Sequence, residues 1–202
     1  MVPLREGFFN PELIYVPGHL DRFLVGLATQ PRQRYDNIFS EEVTNHLFQA
    51  KNKNFGMDLV ALNIQRGRDH GLPGYNAFRE LCGLGRVRSF SELSDLIPRA
   101  IVERFQLIYK DVEDVDLFIG GLSESSVPGG LVGPTFQCLI GDQFKRTMAG
   151  DRYFYDSGDS PGKFTEPQLA EIRKSSLARI TCDNGDDIHS IQPLAFRKTS
   201  AM

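Results

Sequence analysis

The sequence predicts a mainly α-helical protein with few or no strands. Three observations carry that expectation. Apolar residues recur at intervals of three and four along most of the chain, helix-starting residues precede those stretches, and strand-like alternation is weak and short. Taken in order, Asp21 is placed to cap a short helix carrying Phe23, Leu24 and Leu27. Ser40, followed by Glu41 and Glu42, suits the start of a helix packing Val43 and Leu47. A buried helix is expected at about 57–68, stopped by Gly71, Pro73 and Gly74. Tyr75, Phe78, Leu81 and Cys82 then share one helical face.

Pro98 suits the first turn of a helix bearing Ile101, Val102, Phe105 and Tyr109. Pro134 does the same for a longer helix with Phe136, Leu139, Ile140, Phe144 and Met148, ending at Gly150. Thr165, Glu166, Pro167 and Gln168 resemble a capping box that opens a last helix through Leu169, Ile172 and Leu177. Glycine-rich loops are expected at 119–134 and 157–162. No repeat, low-complexity block or linker divides the chain.

Composition narrows the function classes. The 202 residues are 41% hydrophobic and 24% charged, with no Trp and a net charge of −3. That balance gives no sign of a nucleic-acid or anionic-membrane partner. No apolar run approaches the roughly 18 residues of a membrane span. The opening MVPLREGFFNPE has no apolar core of a signal peptide, and no Asn-x-Ser/Thr sequon occurs. Cys82, Cys138 and Cys182 allow one disulfide plus a thiol, or three reduced thiols.

One segment asks for a special partner. In LVALNIQRGRDHG, residues 59–71, Leu59, Leu62, Asn63 and Arg66 fall at i, i+3, i+4 and i+7, on one helical face. Apolar residues fill most other angles, so the helix reads as buried, yet this stripe carries an amide and a guanidinium. An amide oxygen can accept the second N–H of a metal-bound imidazole, and a guanidinium grips a carboxylate in bidentate fashion. Amide, guanidinium and two leucines on one face would suit a haem. The plain alternative is that Arg66 pairs with an acid elsewhere in the fold while Asn63 caps a neighbouring helix.

Nothing else competes. His19, His46, His70 and His189 have no metal-ligand spacing and read as structural or exposed. Ser123 to Ser126 lack a nucleophile elbow. Gly120-Gly121 and Gly129-Gly130 lack the spacing of a phosphate cradle. Asp111, Glu113, Asp114 and Asp116 lack the EF-hand pattern and read as a solvated turn.

The segment LNIQRGRDHGLPGYNAFRELCGL, residues 62–84, resembles the signature of the animal-type haem peroxidases. The resemblance continues through VPL at 2–4, DLFIGGLSE at 116–124, LVGPTFQCLIGDQFKRTMAGDRYFY at 131–155 and LARITCDN at 177–184, and so covers almost the whole chain. It implies the helical fold of that family's catalytic domain, of which residues 1–202 would be the C-terminal part. It also implies b-type haem as the cofactor, covalently linked in some members, with calcium bound elsewhere in the parent domain.

Residue by residue, the resemblance makes Asn63 the acceptor for the proximal histidine's N–H and Arg66 the partner of a haem propionate. Leu59 and Leu62 would line the proximal side. A neutral amide accepts this hydrogen bond more weakly than a carboxylate, which is one lever on the iron's potential. Arg68, Asp69 and His70 would be structural, tying the helix end to the loop. Cys82 and Cys138 match a disulfide pair of the family. Cys182 matches a cysteine whose partner lies further downstream, and would be a free thiol here.

The resemblance places the distal histidine, its neighbouring glutamine, the catalytic arginine, the calcium loop and the iron-ligating histidine upstream of Met1. The expected reading is therefore a fragment of a secreted, extracellular peroxidase with no catalytic residue of its own and no metal ligand. Its partners would be the N-terminal part of the same domain, hydrogen peroxide, and halide or phenolic donors. From a different class comes a haem-free, peroxidase-like adhesion or matrix-binding module; an unstable product without function is a third reading.

Overall fold

The computed structural model describes residues 2–197, whose regular elements are helices with no strand among them; Leu47 with Met57 and Gly74 with Asp116 form isolated antiparallel bridges. The α-helices are α1 (Leu4–Gly7), α2 (His19–Thr29), α3 (Glu41–Thr44), α4 (Leu59–Asp69) and α5 (Tyr75–Leu81). They continue with α6 (Arg99–Ile108), α7 (Leu117–Ser123), α8 (Pro134–Gly150), α9 (Glu166–Ile172) and α10 (Leu177–Asn184). The chain divides into two compact units. One is Arg34–Met148; the other joins the residues up to Gln33 with those from Ala149 onward.

The core of the first unit follows from the stripe on α6. Val102 and Phe105 are buried against Tyr75, Val87, Leu93, Ile97, Val112 and Val115, with Ile101, Tyr109 and Ile119 packed at the edge. Two polar residues are buried with them, and each is satisfied. Asn76 donates from Nδ2 to the Val87 carbonyl at 2.8 Å and to Glu113 Oε1 at 2.6 Å, while its Oδ1 accepts the Val87 N–H at 2.9 Å. Arg79, 1% exposed, donates to both oxygens of Asp95 at 3.0 and 2.6 Å. A buried guanidinium without such a partner is strongly destabilising, so Asp95 is a condition of this core.

Gly120 and Gly121 were expected in a loop and instead lie inside α7. Glycine is a poor helix former, which is why the sequence reads as loop there. Packing overrides propensity: a Cβ on Gly120 would fall 2.4 Å from Cγ of Tyr75, and one on Gly121 would fall 2.5 Å from the Phe136 ring. The absent side chains let α5 and α8 lie directly on the α7 backbone.

In the other unit, Asp21 stands in the first turn of α2, and Gly18 takes the N-cap position. The Asp21 carboxylate is used at long range, accepting the backbone N–H groups of Asp186 at 3.1 Å and Asp187 at 2.8 Å. The capping box at Thr165 and Gln168 is present at the start of α9. The helix expected to run on through Leu177 is broken, because Ser176 caps a separate helix by accepting the Arg179 N–H. Ser40 caps α3 as expected, but α3 stops at Thr44, and Leu47 is buried outside it. No helix among the described residues is long and apolar enough to cross a membrane.

Candidate functional site

Helix α4 starts where Asp58 turns its carboxylate back onto the N–H groups of Val60 and Ala61, at 2.8 and 3.1 Å. It ends at His70, whose backbone N–H and Nδ1 both reach the Arg66 carbonyl. A carbonyl only accepts, so Nδ1 carries the proton. The buried helix expected at 57–68 is corrected here: no residue of α4 is fully buried. Leu59, Leu62 and Asn63 are half-buried and Arg66 is exposed.

The open side of α4 faces a cleft of about 800 Å³ within the first unit. Its polar lining includes Asn63, Arg66, Arg68, His70, Tyr109 and Asp116; its apolar walls are Ile64, Leu72, Leu117, Phe118 and Phe136. The structure thus brings Asn63 and Arg66 to one cleft. Leu59 and Leu62 do not line it, and the apolar surface comes instead from α7, α8 and the turn after α4. That volume lies in the range of small-molecule and cofactor sites.

The polar groups of the wall differ in how they are satisfied. Arg68 donates to both oxygens of Asp116, Nε at 2.9 Å and an η nitrogen at 2.7 Å, and the Tyr109 hydroxyl donates to the same carboxylate at 2.8 Å. Burial alone lifts the Asp116 carboxyl, but the Arg68 and Tyr109 hydrogen bonds outweigh it and hold the group below its ordinary value. Burial, reinforced by the bond to Asp116, pushes the Tyr109 phenol up to about 12. The acidic stretch 111–116 is therefore more than a solvated turn. Asp111 and Asp114 form a capping box, Glu113 pairs with Arg86, and Asp116 anchors Arg68.

Asn63 and Arg66 are different. Among the described residues, neither side chain has a hydrogen-bond or ion-pair partner, so Arg66 has not paired with an acid and Asn63 caps no neighbouring helix. An amide and a guanidinium stand one helical turn apart on the lining of a cleft that also has apolar walls. That donor set fits a flat apolar group with a carboxylate edge, such as a haem with its propionates.

Cys82, at the end of α5, is bonded to Cys138 on α8, with a Cα–Cα distance of 5.9 Å. Cys182 is a half-buried free thiol. The sequence reading missed Glu124, Tyr109 and Asp116. The acidic run and the GGLSE segment were visible, but Arg68 lies 48 residues from Asp116 and Tyr75 lies 49 from Glu124, beyond what local spacing can read.

Comparison with known proteins agrees with this architecture. The profile described as animal haem peroxidase matches residues 1–196. A Drosophila melanogaster protein named Peroxidase is 46% identical over 98% of this chain and 28% of its own length. Thyroid peroxidase of Sus scrofa is 40% identical over 93% of this chain and 20% of its own length. Peroxidase-like protein 3 of Lottia gigantea is 40% identical, and the match covers 98% of this chain and 64% of that protein. Among solved structures, peroxidase A from Dictyostelium discoideum superposes with a TM-score of 0.75 at 33% identity, over 91% of this chain and 35% of its own. The chain spans less than a third of the Drosophila and pig proteins, and its helical fold is that of peroxidase A. This chain belongs to the animal haem peroxidase family.

Proposed function

We propose that the chain forms the proximal wall of a haem site in a hydrogen-peroxide-reducing peroxidase. The observation that carries this reading is the contrast along the signature segment: Arg68 and Arg79 are each held by a carboxylate, while Arg66 and Asn63 face the cleft with no partner among the described residues. Arg66 grips a haem propionate in this reading. Asn63 Oδ1 accepts the N–H of an iron-bound imidazole, fixing its tautomer and orientation. Phe118 and Phe136 keep water from the apolar side of the group. A bound haem would supply the redox-active iron at which peroxide is reduced and halide or phenolic donors are oxidised. The acid–base work on peroxide belongs to residues that this chain does not supply. The Cys82–Cys138 bond supports an extracellular setting, since disulfides persist in oxidising compartments. No feature of the site favours a haem-free adhesion module.

The test is a haemin titration of the full chain, followed by the Soret band, with Arg66→Leu beside it. Removing a charge-assisted hydrogen bond of about 1.5–3 kcal/mol predicts roughly 10- to 100-fold weaker binding for Arg66→Leu. In a complete parent that supplies the iron-bound imidazole, Asn63→Ala shifts the midpoint potential or the haem retention with the fold intact. A chain that shows no saturable Soret change, or an Arg66→Leu variant that binds haemin as well as the parent, refutes the assignment.

A further inference from the structure

Two segments of the family resemblance, 116–124 and 131–155, meet at one buried carboxylate that has no role in the reading above. Glu124 follows α7 directly and is 5% exposed. Its Oε2 accepts the backbone N–H of Thr135 at 2.9 Å; its Oε1 accepts the Thr135 hydroxyl at 2.5 Å and the Tyr75 hydroxyl at 2.7 Å. All three donors are neutral. A carboxylate buried without a cation is a costly choice for stability alone, so its retention asks for another reason.

We propose that Glu124 is a positioning residue for the cleft, holding the first turn of α8 so that Phe136 forms the cleft wall. Thr135 is the second residue of α8, and the carboxylate satisfies one of the N–H groups a helix start leaves unpaired, with the dipole of a 17-residue helix in its favour. Phe136 follows at once, and its ring packs against the α7 backbone at Gly121, three residues before Glu124. Gly133 completes the fit: a Cβ there would fall 2.3 Å from Cβ of Glu124, so the glutamate side chain fills that space. The Tyr75 hydroxyl brings α5 to the same point. One acceptor therefore fixes the spacing of three helices beside the cleft. Glutamine is a weak test substitution, because with its carbonyl oxygen on the Thr135 N–H its NH₂ can donate to the two hydroxyls once they rotate; alanine removes every acceptor and keeps the Cβ. The functional consequence rests on the haem-site reading; the placement of Phe136 does not.

The chain contains no tryptophan, so Phe136→Trp puts a single fluorescent reporter on the cleft wall. Emission maximum, acrylamide quenching and haemin quenching are compared in Phe136→Trp and in the double variant with Glu124→Ala. The expected result is a red-shifted emission and several-fold greater acrylamide quenching in the double variant, with far-UV circular dichroism and the Cys82–Cys138 bond retained. In the chain with native Phe136, Glu124→Ala is expected to weaken haemin binding about tenfold or more, the loss typical when a buried acceptor is removed. Thr135→Val, which deletes one donor and keeps the backbone N–H, is the milder variant that decides if Glu124→Ala does not fold; it should move the same readouts in the same direction. Identical emission, quenching and haemin affinity, with only a lower melting temperature, would show a merely stabilising carboxylate and overturn the proposal. If haemin binds neither parent nor variant, the haem-site reading falls, and the emission and acrylamide data still decide what Glu124 does to Phe136.

Discussion

Removing the Cys82–Cys138 bond by the double substitution Cys82→Ala, Cys138→Ala gives a stability loss that can be worked from the topology. The bridge closes a loop with a sequence separation of 56, entirely within the Arg34–Met148 unit. For a loop of that length the chain-entropy relation gives about 4 kcal/mol at 25 °C. A unit of this size shifts its melting temperature by roughly 3–4 °C per kcal/mol, so the expected fall is roughly 12–16 °C. The assay is thermal unfolding by circular dichroism of the oxidised parent, the parent held in reductant, and the double variant. The last two should melt together. Thiol counting in denaturant without reductant should find one free thiol per parent chain, that of Cys182. A double variant that melts within about 3 °C of the oxidised parent would show that the bridge restrains little of the unfolded chain. Three free thiols would show that the bond is not formed, and the extracellular reading would lose its support.

The other expectations concern the cleft wall. Asp116→Asn, which keeps the volume and loses the charge, should destabilise by about 1–3 kcal/mol at pH 7. Because the folded-state value of Asp116 is depressed, its contribution is complete above the ordinary carboxyl value near 3.9 and is lost as pH falls through the folded value. Melting curves of parent and variant should therefore converge once pH falls below the ordinary carboxyl range, and a gap that stays constant from pH 7 downward would contradict the Arg68–Asp116 account. Gly120→Ala should cost about 1–3 kcal/mol by overpacking against Tyr75, read as an earlier urea midpoint with unchanged slope. A neutral result there would mean that Tyr75 gives way freely and is not fixed by Glu124.

Local signals in the sequence were sufficient wherever the structure depends on near neighbours. The Thr165–Gln168 box, the Ser40 cap, the α6 stripe and the Pro134 start all lie within four residues of what they control, and all are present. Misplacements occur where a distant partner decides. Gly120-Gly121 reads as loop until Tyr75 and Phe136 are laid against it. Asp21 looks like a cap, but its acceptors are taken by N–H groups 165 and 166 residues away. The same division runs through the site. Periodicity puts Asn63 and Arg66 on one face without any tertiary knowledge, whereas the choice of Asp116 by Arg68, across 48 residues, cannot be read from spacing. Burial of α4 was the weakest inference, because an apolar sequence states what a surface prefers and leaves open what covers it.

The three arginines of the signature segment show what the structure asks of each charge. Arg79 is in the core and matched by Asp95; Arg68 is in the wall and matched by Asp116; Arg66 is exposed with no partner among the described residues. Acids for Arg66 are not lacking in sequence: Asp69 stands three residues on, at a spacing that commonly pairs on a helix, yet it lies 3.8 Å from His70 Nδ1 instead. Stability therefore gains little from Arg66, and its removal isolates function. Arg66→Leu should change the unfolding free energy by less than about 0.5 kcal/mol, as for a surface residue without special contacts. Arg68→Leu, two residues away, should lower it by about 1–3 kcal/mol, because Asp116 is left partly buried without its cation. Haemin binding should separate the pair in the opposite sense, with the larger loss in Arg66→Leu per unit of stability removed. Should Arg66→Leu melt as early as Arg68→Leu, the guanidinium is holding the fold together, and the cleft has no claim on it.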